Sequence, residues 1–411
     1  MKKSVVPLCA LLVLMLVSSG CSKDSVPNSP SDLPVGAAAV DPGNPQQLIR
    51  GFGGVNMPGW ISDMSPGMAS NAFGTGDGQI GLSILRIRVP YDSSKFNLEV
   101  PTAQLAKSLG VETIFASPWT PPAWMKSNNN IVGGTLPDSS YAAYAAHLRS
   151  FAYTMASQGV SLYAISLQNE PDASVNYESC TWSATQMLNF VRDFCPLIGT
   201  RIMMPESMNF NHALSDPALN DPVAVNNVSI IGGHIYGGGL VSYPLAVSKG
   251  KEVWMTEHLD TDTDWLAVLA TAKEIHDCMV ANMNAYVWWY IRRFYGPIDD
   301  DGNVTKRGYY MSQYARFVRP GFLRVTATPN PQFGVNVTAY KSDSSLVIVA
   351  MNLGTSALDQ LFVISGGSYR SFTPYTTSNT RDCARLASVD VNDRRFTYSL
   401  ESHSVTTFVS D

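Results

Sequence analysis

Two glutamates in apolar surroundings are the residues of this chain best suited to chemistry. Glu170 ends the run Leu162-Tyr-Ala-Ile-Ser-Leu-Gln-Asn-Glu170, and Glu257 ends the run Glu252-Val-Trp-Met-Thr-Glu257. Burial disfavours a charged carboxylate, so an apolar strand rarely ends in one without a use. Two such groups can cleave a glycosidic bond, one protonating the leaving oxygen and the other attacking the anomeric carbon. The pair therefore predicts a retaining glycoside hydrolase.

The elements that position these glutamates alternate between strands and helices from residue 51 to residue 321. Eight short runs are nearly continuous in apolar residues, as is typical of parallel strands buried on both faces. The predicted strands are 53–56, 84–89, 112–117, 162–169, 202–205, 230–236, 252–257 and 285–290. Helical periodicity is clearest over 141–158 and 266–283.

This order predicts an α/β fold, a (β/α)8 TIM barrel over residues 51–321. A doubly wound open sheet is the structural alternative, but Gly51-Phe-Gly-Gly54 lacks the spacing of a phosphate-binding turn. Residues 322–411 lack helical periodicity and contain runs with strand character at 336–340, 345–352, 360–364, 396–400 and 405–409. With residues 37–50 they predict an antiparallel β-sandwich side domain.

The N-terminal residues predict export. Lys2 and Lys3 precede an apolar run over 5–17, which is typical of a signal peptide covering 1–20. Ser18-Ser-Gly-Cys21 resembles the cleavage site of bacterial lipoproteins, so we expect a lipid on Cys21 and a flexible tether over 21–36. The protein would then be anchored in the bacterial cell envelope, with an unlipidated signal peptide as the alternative.

Composition and cysteine spacing exclude several other functions. The net charge of −5 over 411 residues argues against a nucleic-acid partner. Cys180, Cys195, Cys278 and Cys383 allow three pairings into two disulfides, among which Cys180–Cys195 is favoured because it closes a short segment. The chain has neither C-x-x-C nor HExxH spacing, so we expect no metal and no cofactor.

A set of motifs in order along the chain resembles glycoside hydrolase family 30, most closely its glucuronoxylanase subfamily. The motifs are Arg50-Gly-Phe-Gly-Gly54, Ser83-Ile-Leu-Arg-Ile-Arg88, Ala116-Ser-Pro-Trp-Thr-Pro-Pro122, Leu167-Gln-Asn-Glu-Pro171, Trp254-Met-Thr-Glu257, Asn284-Ala-Tyr-Val-Trp-Trp-Tyr-Ile-Arg-Arg293 and Phe317-Val-Arg-Pro-Gly321. The resemblance implies a barrel with a β-sandwich built from both ends of the chain.

The resemblance also implies roles for individual residues. Glu170 would be the acid/base and Glu257 the nucleophile. Asn169 would bind the sugar 2-hydroxyl, Trp119 would form a sugar platform, and Tyr236 would hydrogen-bond Glu257. Trp60 is a further candidate for the wall of the cleft.

The substrate expected from the resemblance is xylan with glucuronic acid branches. In this subfamily the second arginine of the motif, here Arg293, binds the branch carboxylate together with Trp289 and Tyr295. A planar guanidinium suits a carboxylate because it can bind both oxygens. Arg292 is interpreted as structural.

One departure from the subfamily pattern leaves the substrate open. A tyrosine two positions after the nucleophile is replaced by Leu259, and the following loop is short and acidic. An endo-xylanase or other β-glycanase without glucuronate dependence is therefore the alternative enzyme. A noncatalytic, glycan-binding surface lipoprotein is a third possibility, and the expected oligomeric state is a monomer.

Overall fold

The computed structural model of this protein describes residues 33–411. The predicted signal peptide, the lipidated Cys21 and most of the predicted tether lie outside the described residues. Within the described part, no helix is long and apolar enough to cross a membrane.

Eight parallel strands close into a barrel in chain order, as predicted. After β1 (Ala38–Leu48), these are β2 (Gly51–Val55), β3 (Ile84–Val89), β4 (Thr113–Pro118), β5 (Ala164–Ser166), β6 (Ile202–Ser207), β7 (Ile230–His234), β8 (Glu252–Glu257) and β9 (Ala285–Tyr290). Nearly every strand residue is buried, which explains the continuous apolar runs. The largest difference from the prediction is β5, which ends at Ser166 rather than Asn169.

Helices cover the outside of the barrel. They are α1 (Pro66–Phe73), α2 (Val100–Ser108), α3 (Tyr141–Ser157), α4 (Ala184–Asp193), α5 (Asp216–Asn220), α6 (Ala224–Asn227), α7 (Pro244–Ser248), α8 (Trp265–Val280) and α9 (Lys306–Ala315). The helices predicted over 141–158 and 266–283 are confirmed as α3 and α8. In α3, Tyr144, Leu148 and Phe151 lie on the buried face, at the spacing that identified it.

The side domain is one sheet of ten strands. Besides β1 they are β10 (Leu323–Ala327), β11 (Val335–Lys341), β12 (Leu346–Asn352), β13 (Leu358–Ile364), β14 (Ser371–Ser378), β15 (Arg381–Arg385), β16 (Val389–Asp390), β17 (Arg395–Leu400) and β18 (Ser404–Ser410). β1 pairs parallel with β13 and antiparallel with β10, so the sheet is mixed rather than purely antiparallel as predicted. β1, from the N-terminal side of the barrel, lies between β10 and β13 from the C-terminal side. Because β10 and β13 run in opposite directions, β1 must be parallel to one of them.

Helix α9 packs between the barrel and the side sheet. The Tyr314 ring contacts Phe52 of β2 at a centroid separation of 5.7 Å. On the other side, Gln313 donates to the Thr377 hydroxyl at 2.8 Å and accepts from the Thr407 hydroxyl at 2.6 Å. Both Gln313 and Tyr314 are fully buried, so the barrel and the sheet share a continuous interior here.

The predicted Cys180–Cys195 disulfide is wrong. Cys180, Cys195, Cys278 and Cys383 are all free thiols in the described residues. Cys180 and Cys195 are buried in the hydrophobic core, and burial raises the pKa of Cys180 to about 12. Each sulfur thus fills a core position as a small apolar group. A short sequence separation did not indicate that these two side chains face each other.

Candidate active site

Glu257 is the last residue of β8, and its carboxylate is held from two sides. Arg86 of β3 contacts Oε2 through Nη1, and the Tyr236 hydroxyl donates a hydrogen bond of 2.8 Å to Oε1. The expected hydrogen bond between Tyr236 and Glu257 is therefore present. Burial and the charge of Glu257 raise the pKa of Tyr236, so its phenol keeps its proton and remains a donor. A carboxylate held in this way is oriented for nucleophilic attack.

Glu170 lies beyond the end of β5 in a left-handed backbone conformation, with φ of 46°. Pro171 disfavours the right-handed helical conformation at the preceding residue. The Glu170 N–H donates to Glu206 O at 3.0 Å, and the Asn169 N–H donates to Pro118 O at 2.7 Å. Both neighbouring strands thus hold the segment. A strained residue persists where surrounding contacts determine its conformation, and such residues cluster at active sites.

The two carboxyl groups meet beside His234, the last residue of β7. Nδ1 of His234 is 2.9 Å from Glu170 Oε1, and Nε2 is 3.8 Å from Glu257 Oε2. One oxygen of each glutamate and a ring nitrogen of His234 lie within 4.8 Å of one another. Both glutamates are 6% exposed, so the pair is nearly closed off from solvent while remaining reachable.

His234 carries a proton at neutral pH. Burial alone would lower its pKa, but the charge of Glu257 and the hydrogen bond to Glu170 outweigh burial and raise the pKa to about 9. A histidine that binds a metal must be neutral, so a divalent ion would have to displace this proton.

Arg86 links the acidic and polar groups beneath the pair. It is fully buried, lies 3.1 Å from Glu206 and donates to Asn169 Oδ1 at 2.7 Å. Burial would raise the pKa of Glu206, but the charges of Arg86 and His234 lower it to about 2. Because the Asn169 oxygen is occupied, its amide nitrogen is the group left to donate to a sugar hydroxyl.

Sequence reasoning missed the roles of Arg86, His234 and Glu206, although a signal was present. Each of these three residues is ionisable and lies inside or at the end of a run that is otherwise suited to a buried strand. The runs are Ile84-Leu-Arg86, Ile230-Ile-Gly-Gly-His234 and Met203-Met-Pro-Glu206. Buried charges need partners, and parallel strands bring the three together. The same reasoning that identified Glu170 and Glu257 would have identified these residues.

Aromatic side chains form one wall of the site. The Trp60 ring lies within 6.4 Å, between centroids, of Trp119, Tyr177 and Trp289. Trp60 is 36% exposed and Tyr177 is 44% exposed, whereas Trp119 is only 2% exposed. The Tyr177 hydroxyl lies 3.5 Å from Glu170 Oε2. A sugar platform needs an exposed ring face, so Trp60 and Tyr177 fit that role better than the predicted Trp119.

Comparison with known proteins decides the family. The sequence profile of the glycosyl hydrolase family 30 TIM-barrel domain matches residues 86–238. Glucuronoxylanase XynC of Bacillus subtilis is 40% identical over 423 residues, which cover 98% of this chain and 97% of that protein. The chain belongs to glycoside hydrolase family 30.

Solved structures of the family share the whole architecture. The subfamily 8 xylanase Xyn30A of Clostridium acetobutylicum superposes with a TM-score of 0.87 at 40% identity, covering 92% of this chain and 100% of that chain. A family 30 endoxylanase of Clostridium papyrosolvens C71 gives 0.85 at 38% identity, covering 91% and 100%. Coverage of this extent includes both the barrel and the side sheet.

In this family 30 chain, Arg293 lies in the loop after β9 with its charge unmatched. Its guanidinium lies over the Tyr290 ring, with 5.5 Å between the guanidinium carbon and the ring centroid. Burial raises the pKa of Tyr295, and the nearby Arg293 opposes this rise without cancelling it. Among residues 33–411, no carboxylate lies within 4.0 Å of Arg293. The neighbouring Arg292 differs, because it lies 3.9 Å from Asp300 and donates to Ser62 O. Arg292 thus has a carboxylate neighbour, which is consistent with its interpretation as structural, and that role stays a prediction.

The loop after β8 carries the departure from the subfamily pattern. Leu259 is half-buried against the barrel core, so its side chain makes apolar contacts where a tyrosine would offer a hydroxyl. The loop continues through Asp260, Asp262 and Asp264, which leads directly into α8. Asp262 and Asp264 are exposed and Asp260 is half-buried, so this short loop carries three acidic side chains.

Proposed function

We propose that this chain is a retaining endo-β-1,4-xylanase that cleaves glucuronoxylan at positions set by the glucuronic acid branch. The observation that carries the proposal is the carboxylate pair, whose nearest oxygens lie within 4.8 Å. Retaining glycosidases separate their carboxyl groups by about 5–5.5 Å, whereas inverting enzymes need about 6.5–9.5 Å to admit a water. The xylanase relatives support xylan as the substrate.

The two carboxyl groups have different parts in this mechanism. Glu257 attacks the anomeric carbon and forms a glycosyl-enzyme ester, while Glu170 gives its proton to the leaving oxygen. Glu170 then takes a proton from water, which attacks the ester and releases Glu257. His234 lies between both groups, so an imidazolium there would stabilise the negative charge that Glu170 gains when it releases its proton.

Branch recognition is proposed to depend on Arg293, with Trp289 and Tyr295 completing the contact. A guanidinium without a carboxylate partner in the described structure can form two parallel hydrogen bonds with a glucuronate. The Nε atoms of Arg292 and Arg293 are both buried without a hydrogen-bond partner among residues 33–411, so the missing carboxylate partner is what distinguishes Arg293.

Cleavage without branch dependence is the second candidate, and Leu259 is the observation that favours it. An apolar side chain in place of a tyrosine removes one donor to the branch, and Asp260 and Asp262 would repel a carboxylate. In that case the chain would be an endo-xylanase, or another β-glycanase, that recognises only the main chain of the polysaccharide and not its branches.

Attachment to the cell envelope by a lipid on Cys21 is a separate proposal that stands on the sequence of residues 1–21. Growth with a radiolabelled fatty acid should label the full chain and not a Cys21→Ser variant. Equal labelling of both would contradict lipidation at this residue.

The function is tested by incubating a chain lacking residues 1–35 with glucuronoxylan and following the anomeric configuration of new ends by NMR. The proposal predicts that β-configured xylose ends appear first and then equilibrate. Initial release of α-configured ends would contradict the retaining mechanism.

A further inference from the structure

We propose that Arg307, at the start of α9, is a specificity-determining residue that positions the two loops of the branch-binding region and offsets their acidity. The inference rests on the proposed function, because it concerns how the surface that binds glucuronate is held. Arg307 does not touch the substrate in this proposal. It acts through the loop after β8, which contains Leu259, and the loop after β9, which contains Arg293 and Tyr295.

The hydrogen bonds of Arg307 join these two loops. Nη2 donates to Asp262 O at 2.7 Å, and Nη1 contacts Tyr295 O. Nε donates to the Thr271 hydroxyl of α8 at 3.1 Å. Arg307 is 1% exposed, so these acceptors replace the water that its guanidinium has lost. A change at Arg307 therefore frees both loops at once.

The charge of Arg307 is also unusual for a buried arginine. In the described part of the chain, no carboxylate lies within 4.0 Å of it, and the face of Trp288 lies 4.8 Å from its guanidinium carbon. Burial lowers its pKa, while the charges of Asp260, Glu274 and Asp262 act in the opposite direction. An arginine remains charged under such conditions. The guanidinium therefore supplies a fixed positive charge behind the acidic loop.

This charge bears on the departure at Leu259. Asp260 and Asp262 would repel a glucuronate carboxylate, but a buried cation that donates to the backbone oxygen of Asp262 adds a positive potential behind this loop. The cation is desolvated and rigidly held, so its field is weakened less by solvent than that of a surface lysine. By offsetting the negative charge of the loop, Arg307 allows a chain with an acidic, shortened loop to bind an acidic branch.

Arginine is needed at this position because three acceptors lie in different directions. A lysine keeps the charge but cannot donate through a planar fork to Asp262, Tyr295 and Thr271 together. A methionine retains the approximate length of the stem and removes both the charge and the donors. The two variants therefore separate loop positioning from electrostatics.

The experiment measures kcat and KM for Arg307→Lys and Arg307→Met with two substrates: a xylo-oligosaccharide bearing one glucuronate, and the unbranched oligosaccharide of equal length. Arg319→Lys is the matched control, because Arg319 also bonds backbone carbonyls, those of Gly81 and Ala315, at the opposite end of α9. Thermal unfolding is followed for all variants, so that a loss of stability is recognised.

We expect Arg307→Met to raise KM for the branched substrate about tenfold and to leave kcat/KM for the unbranched one within about twofold. Arg307→Lys should raise the same KM less, because lysine keeps the charge and loses only part of the hydrogen bonding. Arg319→Lys should leave the ratio of the two kcat/KM values unchanged.

Two results would overturn the inference. Equal losses on both substrates, or a ratio altered equally in Arg319→Lys, would reduce Arg307 to a purely structural role while leaving the proposed function intact. A wild-type chain that cleaves both substrates equally would instead overturn branch recognition itself. If Arg307→Met does not fold, Arg307→Lys keeps the comparison of ratios.

Discussion

The carboxylate pair and the branch-binding region are built in opposite ways. Around Glu170 and Glu257, barrel strands supply a buried network in which two cations, Arg86 and His234, lie beside the carboxylates of Glu170, Glu206 and Glu257. Around Arg293, irregular loops supply the residues, and the guanidinium has no carboxylate partner in the part of the chain described. In the first region each ionisable group has an oppositely charged neighbour within the protein, whereas Arg293 in the second has none among residues 33–411.

In the proposed function, this difference places catalysis and the choice of substrate in different parts of the fold. Catalysis needs preorganised groups that do not rearrange during the reaction, and buried strand ends provide them. Choice of substrate needs a group whose partner is the ligand, and in the proposed function the unmatched guanidinium of Arg293 would be that group. The same barrel chemistry can therefore serve different substrates as the loops change.

Removing the nucleophile should give the largest effect. Glu257→Gln cannot form the glycosyl-enzyme ester, so activity on every substrate should fall by about 10⁴-fold or more, as measured by release of reducing ends. Glu252→Gln, on the same strand and paired with Arg50, is the matched control and should retain most activity. Appreciable turnover by Glu257→Gln would contradict the assignment.

Removing the acid/base should give a smaller, substrate-dependent effect. Glu170→Gln should slow xylan hydrolysis by about 10²–10⁴-fold, because the leaving oxygen is no longer protonated. An aryl xyloside with an acidic phenol needs no protonation, so its ester should still form and give a burst of phenol. Added azide should restore turnover by attacking the ester, and the absence of both burst and rescue would argue against this role.

Arg293→Met should change specificity rather than chemistry. We expect kcat/KM on glucuronate-branched substrate to fall about 10–100-fold, the loss of a charge-assisted hydrogen-bonded pair, with little change on unbranched xylan. Arg292→Met is the control, because Arg292 already pairs with Asp300. A fall of equal size on both substrates would show that Arg293 supports the active site in general.

The smallest effect concerns stability and pH. The pKa of His234 rises on folding from 6.5 to about 9. The resulting stabilisation is therefore fully present below pH 6.5 and is lost as the pH rises through about 9. Urea unfolding should show this decline, and His234→Gln should flatten it. An unchanged slope in the variant would mean that another group is responsible.

The barrel was predictable because its signal is local. Strands such as β8 and β9 are continuous apolar runs, and their predicted and observed bounds agree. The side sheet was harder to predict from the sequence. Its strand β14 contains Pro374 and five Thr or Ser residues, a composition that is typical of a loop. It forms because β18 and β15 pair with it on either side, which is a long-range effect that no local pattern reports.

The site was predictable to the extent that single residues carry it. Glu170, Glu257 and the Tyr236 contact followed from strand-end positions and motif resemblance. Partnership was harder to predict: Cys180 and Cys195 are close in sequence and remain unpaired, while Arg86 and His234 lie far apart in sequence and converge on Glu257. Burial of Trp119, and exposure of Trp60 and Tyr177, likewise depend on how neighbouring loops pack.

The most direct test of branch-directed cleavage is mass-resolved product analysis of residues 36–411 on glucuronoxylan and on unbranched xylo-oligosaccharides in parallel. We predict that each glucuronoxylan product carries one glucuronate at a fixed distance from its reducing end, with little turnover of the unbranched chains. Comparable cleavage of both substrates, with branches at random positions in the products, would contradict branch-directed cleavage. The enzyme would then recognise only the main chain of xylan.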